Sequence, residues 1–113
     1  MTDDRSDSAE RVRQLNDAFR RTFVGGVVVV AAGVEALPRE QRGSLLAKVR
    51  AFDAFTEDND PHGEHDFGVV EEGDARCFWK IDYYDREMEL MSPDPSDPAV
   101  TTRVLTIMLV DEY

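Results

Sequence analysis

The sequence predicts a small single-domain α+β sandwich, in which a mainly antiparallel sheet carries helices on one face. Apolar residues recur at helical spacing near the N-terminus, apolar and polar residues alternate along residues 75–85, and a Gly-containing turn precedes that alternation. The 113 residues suit one domain, which we place at residues 8–113 behind a disordered polar tail at residues 1–7. The predicted element order is α-β-α-β-β-(β)-α.

The first half of the chain is predicted to contain two helices and one strand. The first helix covers residues 8–22, because one helical face carries Val12, Leu15, Phe19 and Phe23. Residues 27–32 are apolar without alternation, which predicts a buried central strand. A second helix is expected over residues 38–55, beginning at Pro38. The strand at residues 27–32, this helix and the strand at residues 67–71 are compatible with a right-handed parallel crossover.

The second half predicts an antiparallel meander. Residues 67–71 and 75–85 are expected to form a hairpin around a turn at residues 72–74, and residues 87–91 are expected to add a third strand. Along the longer strand, alternation directs Trp79, Ile81 and Tyr83 to one face and Phe78, Lys80, Asp82 and Tyr84 to the other.

The C-terminal segment, residues 98–113, has features of both a strand and a helix. Its Val, Thr and Ile content favours a strand. Asp97 and Pro98, in contrast, suit a helix start, and one helical face would carry Val100, Val104, Ile107, Met108 and Asp111. We predict a helix here.

Composition narrows the class of protein. The single cysteine, Cys77, excludes an internal disulfide framework and a cysteine-rich zinc site, and we interpret it as a packing residue. The longest apolar run, residues 27–32, is far shorter than the ~18 residues that span a bilayer, and the N-terminal residues lack the pattern of a signal peptide. We therefore expect a soluble cytoplasmic protein. The common nucleotide-binding and hydrolase motifs are missing, and no catalytic residue is predicted.

The net charge of −11 is distributed unevenly. Residues 1–56 contain nine basic and eight acidic side chains, whereas residues 57–113 contain four basic and sixteen acidic ones. Such a field repels nucleic acid and attracts a metal cation, a basic partner or a protein groove that holds nucleic acid. The alternative is that the acidity only keeps the protein soluble.

Both histidines lie in one polar segment, residues 56–66. Two imidazoles near several carboxylates are ligands that zinc or manganese prefer, and the candidate set is Asp58, Asp60, His62, His65 and Asp66. The spacing also resembles the start of a calcium loop, but Val69 stands where the bidentate acid should be, which excludes an ordinary EF-hand. The alternative is a turn network in which the histidines contact carboxylates.

Several long stretches resemble a family of small bacterial proteins that carry a domain of unknown function. They are residues 16–21 (NDAFRR), 55–68 (FTEDNDPHGEHDFG), 78–85 (FWKIDYYD), 92–95 (SPDP) and 102–109 (TRVLTIML). The resemblance covers about residues 15–113 and carries no activity. It implies an alphaproteobacterial family encoded on chromosomes and plasmids, often beside mobile-element and anti-restriction genes.

Two functional hypotheses follow. The first is a non-catalytic acidic module that binds a basic protein surface. It would be an inhibitor of anti-restriction or anti-CRISPR type, which mimics nucleic acid at a basic groove of a defence or nucleic-acid-processing enzyme. This hypothesis expects neither a cofactor nor direct nucleic-acid binding, and it is compatible with a homodimer. The partner-binding carboxylates would be Glu71, Glu72, Asp74, Asp82, Asp85, Glu87 and Glu89. The second is a small hydrolase whose histidine loop holds a divalent metal such as zinc or manganese.

Overall fold

A computed structural model describes the backbone of residues 4–113 and the side chains of residues 8–113. In chain order the elements are helix α1 (Asp4–Thr22), strand β1 (Val27–Val30), helices α2 (Ala32–Glu35) and α3 (Arg39–Arg50), and strands β2 (Phe67–Glu72), β3 (Ala75–Tyr84) and β4 (Thr102–Leu109). Short 3-10 turns, Pro98–Val100 and Val110–Glu112, flank β4. The predicted α+β class is confirmed. Helix α1 begins at Asp4 rather than at the predicted residue 8, so it includes residues 4–7 of the predicted tail. Residues 1–3 lie outside the described residues, and disorder there stays a prediction.

The four strands form one mixed sheet in the order β1-β4-β3-β2. The β2–β3 and β3–β4 pairs are antiparallel and the β1–β4 pair is parallel. Strands β1 and β2 therefore point in the same direction but are separated by two strands, so the parallel crossover of neighbouring strands is not formed. Among the described helices, none is long and apolar enough to cross a membrane.

Strand β1 lies at the edge of the sheet, and the prediction of a central strand at residues 27–32 was wrong. Val28 and Val30 pack against the core, whereas Val27 and Val29 are exposed on the opposite face. An apolar run indicates burial on both sides, but the helices cover only one face here, and among the described residues β4 is the only strand that pairs with β1.

The prediction of a helix at residues 98–113 was also wrong, because residues 102–109 form the interior strand β4. This strand pairs with β1 on one side and β3 on the other, so its backbone is hydrogen-bonded along both edges. Leu105 and Ile107 face the helices, and Val104 is buried on the other face. Burial on both faces produces the near-continuous apolar pattern that also resembles a helical stripe.

Two further boundaries differ from the prediction. Residues 87–91 do not form a third meander strand: residues 85–90 make a turn, and only an isolated bridge joins Tyr84 to Met91. Helix α3 ends at Arg50 rather than at residue 55. Beyond it, Phe52 and Phe55 lie edge-on to the indole ring of Trp79, and this packing takes the chain out of the helix.

Trp79 lies at the centre of the core and is fully buried. Its indole lies over Gly68 on the neighbouring strand, where an added Cβ would lie 2.6 Å from Trp79 Nε1. The helices contribute Phe19 and Leu45 to the same cluster. The predicted inward direction of Trp79 is confirmed, and this packing fixes α1 over one end of the sheet.

Candidate functional site

Where α1 crosses the sheet, the buried residues are polar. Asn16 is fully buried and joins three separate parts of the chain. Its Nδ2 donates to the Glu64 carbonyl oxygen (3.0 Å) and the Tyr83 hydroxyl (2.8 Å), while its Oδ1 accepts from Arg103 Nε (2.8 Å). The Tyr83 hydroxyl donates in turn to Glu64 Oε1 at 3.2 Å. Every polar atom of the Asn16 side chain thus has a partner, as burial requires.

Arg103 is 4% exposed, yet its two protein acceptors are neutral. Its Nε donates to Asn16 Oδ1 and its Nη2 donates to the Pro95 carbonyl oxygen. The guanidinium also lies 5.3 Å from the ring centroid of Tyr83, a cation–π contact. Burial lowers the pKa of Arg103. Within the described residues this buried cation is in no ion pair.

His65 lies between two carboxylates. Its Nδ1 is 2.9 Å from Asp17 Oδ1, and its Nε2 is 3.6 Å from Asp60 Oδ2. The imidazole stacks on the Phe55 ring with 3.7 Å between centroids and 4° between planes. His65 has a φ of +55°, and its backbone N–H donates to Asp60 Oδ1 at 3.1 Å. This left-handed turn directs the imidazole inward, against α1.

Asp17 connects this histidine to a second buried cation. Arg20 Nη1 donates to Asp17 Oδ1 at 3.0 Å, and Arg20 Nη2 donates to the Phe52 carbonyl oxygen at 3.0 Å. The Arg20 guanidinium lies over Trp79, 5.0 Å from the ring centroid, and the residue has no exposed surface. Burial lowers the pKa of Arg20, and the bond to Asp17 opposes that effect.

The residues of the metal hypothesis are not brought together. His62 and Asp58 are exposed, whereas His65 and Asp60 face inward and contact each other. Within residues 8–113, no group of three or more His, Cys, Asp or Glu side chains is placed to hold a metal ion. The two histidines are three residues apart, but this spacing does not put them on one side of the loop, because the backbone reverses at Gly63 (φ +67°) and His65.

Two carboxyl groups of this region have raised pKa values. Burial raises the pKa of Glu64 and of Asp66, and the proximity of these two acids adds to the effect at Glu64. Burial also raises the pKa of the Tyr83 hydroxyl, so Tyr83 remains a neutral hydrogen-bond donor to Glu64. The cluster thus combines two carboxyl groups whose ionisation is opposed by burial with arginines that are always charged.

Sequence reasoning missed the central members of this network. Asn16 and Arg20 follow Val12 at four-residue spacing, so they occupy the helix face that points to the core. Polar side chains at core-facing positions were the signal that could have identified them. Arg103 carried a weaker signal, since the residues around it were interpreted as a helix.

The seven carboxylates predicted to form one partner surface are divided between two ends of the sheet. At the β2–β3 hairpin, Glu71 pairs with Arg76 (3.4 Å), and Glu72 pairs with Lys48 (2.8 Å). Asp74 accepts from Gln41 at 3.0 Å. These carboxylates are largely used within the chain.

The remaining four predicted carboxylates lie on β3 and in the turn that follows it. Asp82 pairs with Lys80 (3.2 Å) on the open face of the sheet. Asp85 Oδ1 accepts from the Glu89 backbone N–H at 2.9 Å and holds the turn. Glu87 and Glu89 are exposed and make no ion pair within the described residues. The ten residues of β3 separate this turn from the hairpin by about 30 Å.

The turn at residues 85–91 also exposes apolar side chains. Leu90 is 71% and Met91 80% exposed, and Met88 is 47% exposed at a φ of +57°. The loop closes with a hydrogen bond from the Asp85 N–H to the Leu90 carbonyl oxygen (2.9 Å). It therefore presents free carboxylates and apolar side chains together on a closed turn.

These features define the class: a small α+β domain whose buried polar network fixes α1 to the sheet and whose turn at residues 85–91 exposes acidic and apolar side chains. The chain belongs to the family described as "Protein of unknown function (DUF3768)", whose model matches residues 30–112. No curated protein and no solved structure matches the chain.

Proposed function

We propose that this domain is a non-catalytic binding module that docks on a basic surface of another protein through the turn at residues 85–91, which we name the docking loop. The observation that carries the proposal is the exposure of Leu90 and Met91 beside the unpaired carboxylates of Glu87 and Glu89. Scattered exposed apolar residues are ordinary, but a cluster of them on one closed loop is typical of an interaction site.

The two kinds of side chain have different roles in such an interface. Burying Leu90 and Met91 supplies most of the affinity, at about 25 cal/mol for each Å² of apolar surface removed from water. Methionine adapts its shape to an irregular partner surface. Glu87 and Glu89 attract a basic partner and orient it, which raises the association rate more than the affinity.

The charge of the second half of the chain supports a more specific proposal, that the basic surface is a groove that otherwise holds nucleic acid. Residues 57–113 contain sixteen acidic and four basic side chains, so carboxylates take the place of phosphates at the groove. In this proposal the domain inhibits a nucleic-acid-processing defence enzyme by occupying its groove and does not itself bind nucleic acid.

Site-specific photo-cross-linking in the native host tests the docking loop. A benzophenone side chain replaces Glu89 in one variant and Glu40, an exposed residue on α3, in the control. We expect one partner to be cross-linked from position 89 and not from position 40. Equal cross-linking from both positions, or from neither, contradicts docking through this loop.

Association kinetics with the cross-linked partner then test the chemistry. Glu87→Gln with Glu89→Gln should lower the association rate at low salt, and the difference should vanish as ionic strength rises. Leu90→Ser with Met91→Ser should instead raise the dissociation rate. The matched controls are Glu35→Gln with Glu40→Gln, and Val29→Ser, an apolar residue on β1 that is 43% exposed.

Competition by a short DNA or RNA duplex tests the specific proposal. If the partner groove holds nucleic acid, the duplex displaces the domain from the partner and does not bind the domain alone. A partner that binds the domain and the duplex at the same time contradicts nucleic-acid mimicry but not docking through the docking loop.

A further inference from the structure

A pocket between α1 and the start of β4 contains two arginines in a chain of strongly negative charge. It is about 240 Å³ in volume and lies among Arg86, Arg103 and the apolar side chains of Leu15, Phe19 and Val24. The pocket is separate from the exposed side chains of Leu90 and Met91 in the docking loop, although Arg86 belongs to that loop. The pocket therefore combines positive charge with an apolar wall.

Arg103 is the unusual component of this pocket. A buried charge is normally paired, because removing a guanidinium from water without a counter-charge is costly. Arg103 is 4% exposed, and its acceptors within the described residues are the neutral oxygens of Asn16 and Pro95. Within the described residues no carboxylate lies at ion-pair distance from Arg103, as Asp17 does from Arg20; Glu64 acts on the pKa of Arg103 only from further away, and raises it.

One nitrogen of Arg103 remains available. Nε and Nη2 donate to protein oxygens, whereas Nη1 makes no hydrogen bond within the described residues. Among the described residues, the fully buried side-chain polar atoms without a hydrogen-bond partner are Arg20 Nε and Trp79 Nε1, and Arg103 Nη1 is not one of them. Because Arg103 Nη1 has no partner and is not fully buried, it is accessible to solvent, which agrees with the position of Arg103 in the pocket wall.

The opposite rim is built by the turn after α1. Gly26 lies against β4 so closely that an added Cβ would be 2.5 Å from the Arg103 carbonyl oxygen and 2.8 Å from Phe19 Cζ. Gly25 has a φ of +112° and open space beside its Cα, and it lines the pocket. The two glycines thus bring the turn onto the strand while leaving the space beside Arg103 open.

We propose that this pocket binds a small organic carboxylate with an apolar tail. The carboxylate would accept from Arg103 Nη1 and from Arg86, which makes no ion pair within the described residues, and so place a counter-charge in direct contact with Arg103. The tail would contact Leu15 and Phe19. The volume is below the range typical of drug-sized ligands, so a short-chain acid fits.

Titration with three probes tests the chemistry: hexanoate, its neutral analogue hexanamide, and inorganic phosphate. Binding is measured by calorimetry, and ¹H–¹⁵N NMR spectra locate it. We expect saturable hexanoate binding, at least tenfold weaker binding of the other two probes, and shifts confined to residues 15–25, 86 and 98–103. Hexanamide that binds as tightly as hexanoate, or phosphate that does so, overturns the proposal, as does an absence of saturable hexanoate binding.

Two variants locate the anion. Arg86→Gln removes the exposed arginine and should weaken hexanoate binding about tenfold, while Arg39→Gln, at the exposed start of α3, should leave it unchanged. Replacing Arg103 would also break its bond to Asn16, so the second variant is Ala18→Glu. Ala18 is an exposed α1 residue in the pocket wall, and a carboxylate there should abolish hexanoate binding. Hexanoate binding that both variants leave intact places the ligand elsewhere and overturns the proposal.

Discussion

Nδ1 of His65 lies 2.9 Å from Oδ1 of Asp17, across 48 residues of chain. This contact joins the loop before β2 to helix α1, and the same Asp17 oxygen accepts from the buried Arg20. One carboxylate thus serves a histidine and an arginine that come from different elements. The loop holds α1 in place, which gives the polar residues at 56–66 a structural role.

Asp17→Asn should lower the free energy of unfolding by about 3 kcal/mol, because it leaves the guanidinium of Arg20 buried without a counter-charge. Thermal and urea unfolding measure the loss. Asp58→Asn, in the exposed part of the loop, is the control and should leave the unfolding curve unchanged. Equal effects of the two substitutions would show that Asp17 does not anchor the network.

Addition of zinc or manganese is expected to leave the melting temperature unchanged, because His65 is occupied by Asp17 and Asp60. A ligand that binds the native state raises the melting temperature by mass action. If zinc raises it, and His62→Ala with His65→Ala removes the increase, the metal hypothesis regains support. Elemental analysis of the purified protein gives an independent measurement.

Trp79→Ala should destabilise the domain by about 3–5 kcal/mol, because the fully buried indole packs against Phe52 and over Gly68. Chemical denaturation measures the change. Phe67→Ala is the aromatic control on the open face, where Phe67 is 39% exposed, and should cost much less. A Trp79 variant that unfolds like the wild type would contradict this core.

Glu64→Gln should become relatively more stable than the wild type as the pH rises. The folded-state pKa of Glu64 is raised, mainly by burial, so the folded protein binds this proton more tightly than the unfolded chain. Its contribution to stability is present below the ordinary pKa of 4.5 and is lost as the pH rises through the raised value. The variant cannot titrate at this position and does not have this loss.

Melting temperatures of both proteins from pH 3.5 upward measure this difference, with Glu57→Gln as the control for an exposed glutamate. The difference between Glu64→Gln and the wild type should increase with pH, and this increase should be absent from the Glu57→Gln control. A decreasing difference at Glu64 would mean that the carboxylate is stabilised in the folded state.

Cys77 should resist alkylation in the folded protein. The thiol is fully buried, and burial raises its pKa to about 11, so little thiolate exists near neutral pH. Iodoacetamide labelling followed by mass spectrometry should show slow modification of the native protein and rapid modification in urea. Rapid labelling under native conditions would mean that the sheet around Cys77 opens readily.

Local patterns determined several parts of this protein. The alternation along β3 correctly directed Trp79 and Ile81 inward, since successive side chains of a strand must point to opposite faces. Helical spacing identified α1, and Gly73, at a φ of +61°, makes the predicted hairpin turn. These features depend on residues that are close in sequence, so the chain alone specifies them.

Only the tertiary structure decided the rest. Residues 102–109 have an apolar pattern that fits a strand or a helix, and pairing with both β1 and β3 selects the strand. The four valines of β1 fit a central strand, and their place at the edge follows from which strands pair. The histidines are three residues apart, yet one contacts Asp17 and the other faces solvent. Sequence patterns record which residues tolerate burial, whereas partners many residues away determine which neighbour each one meets.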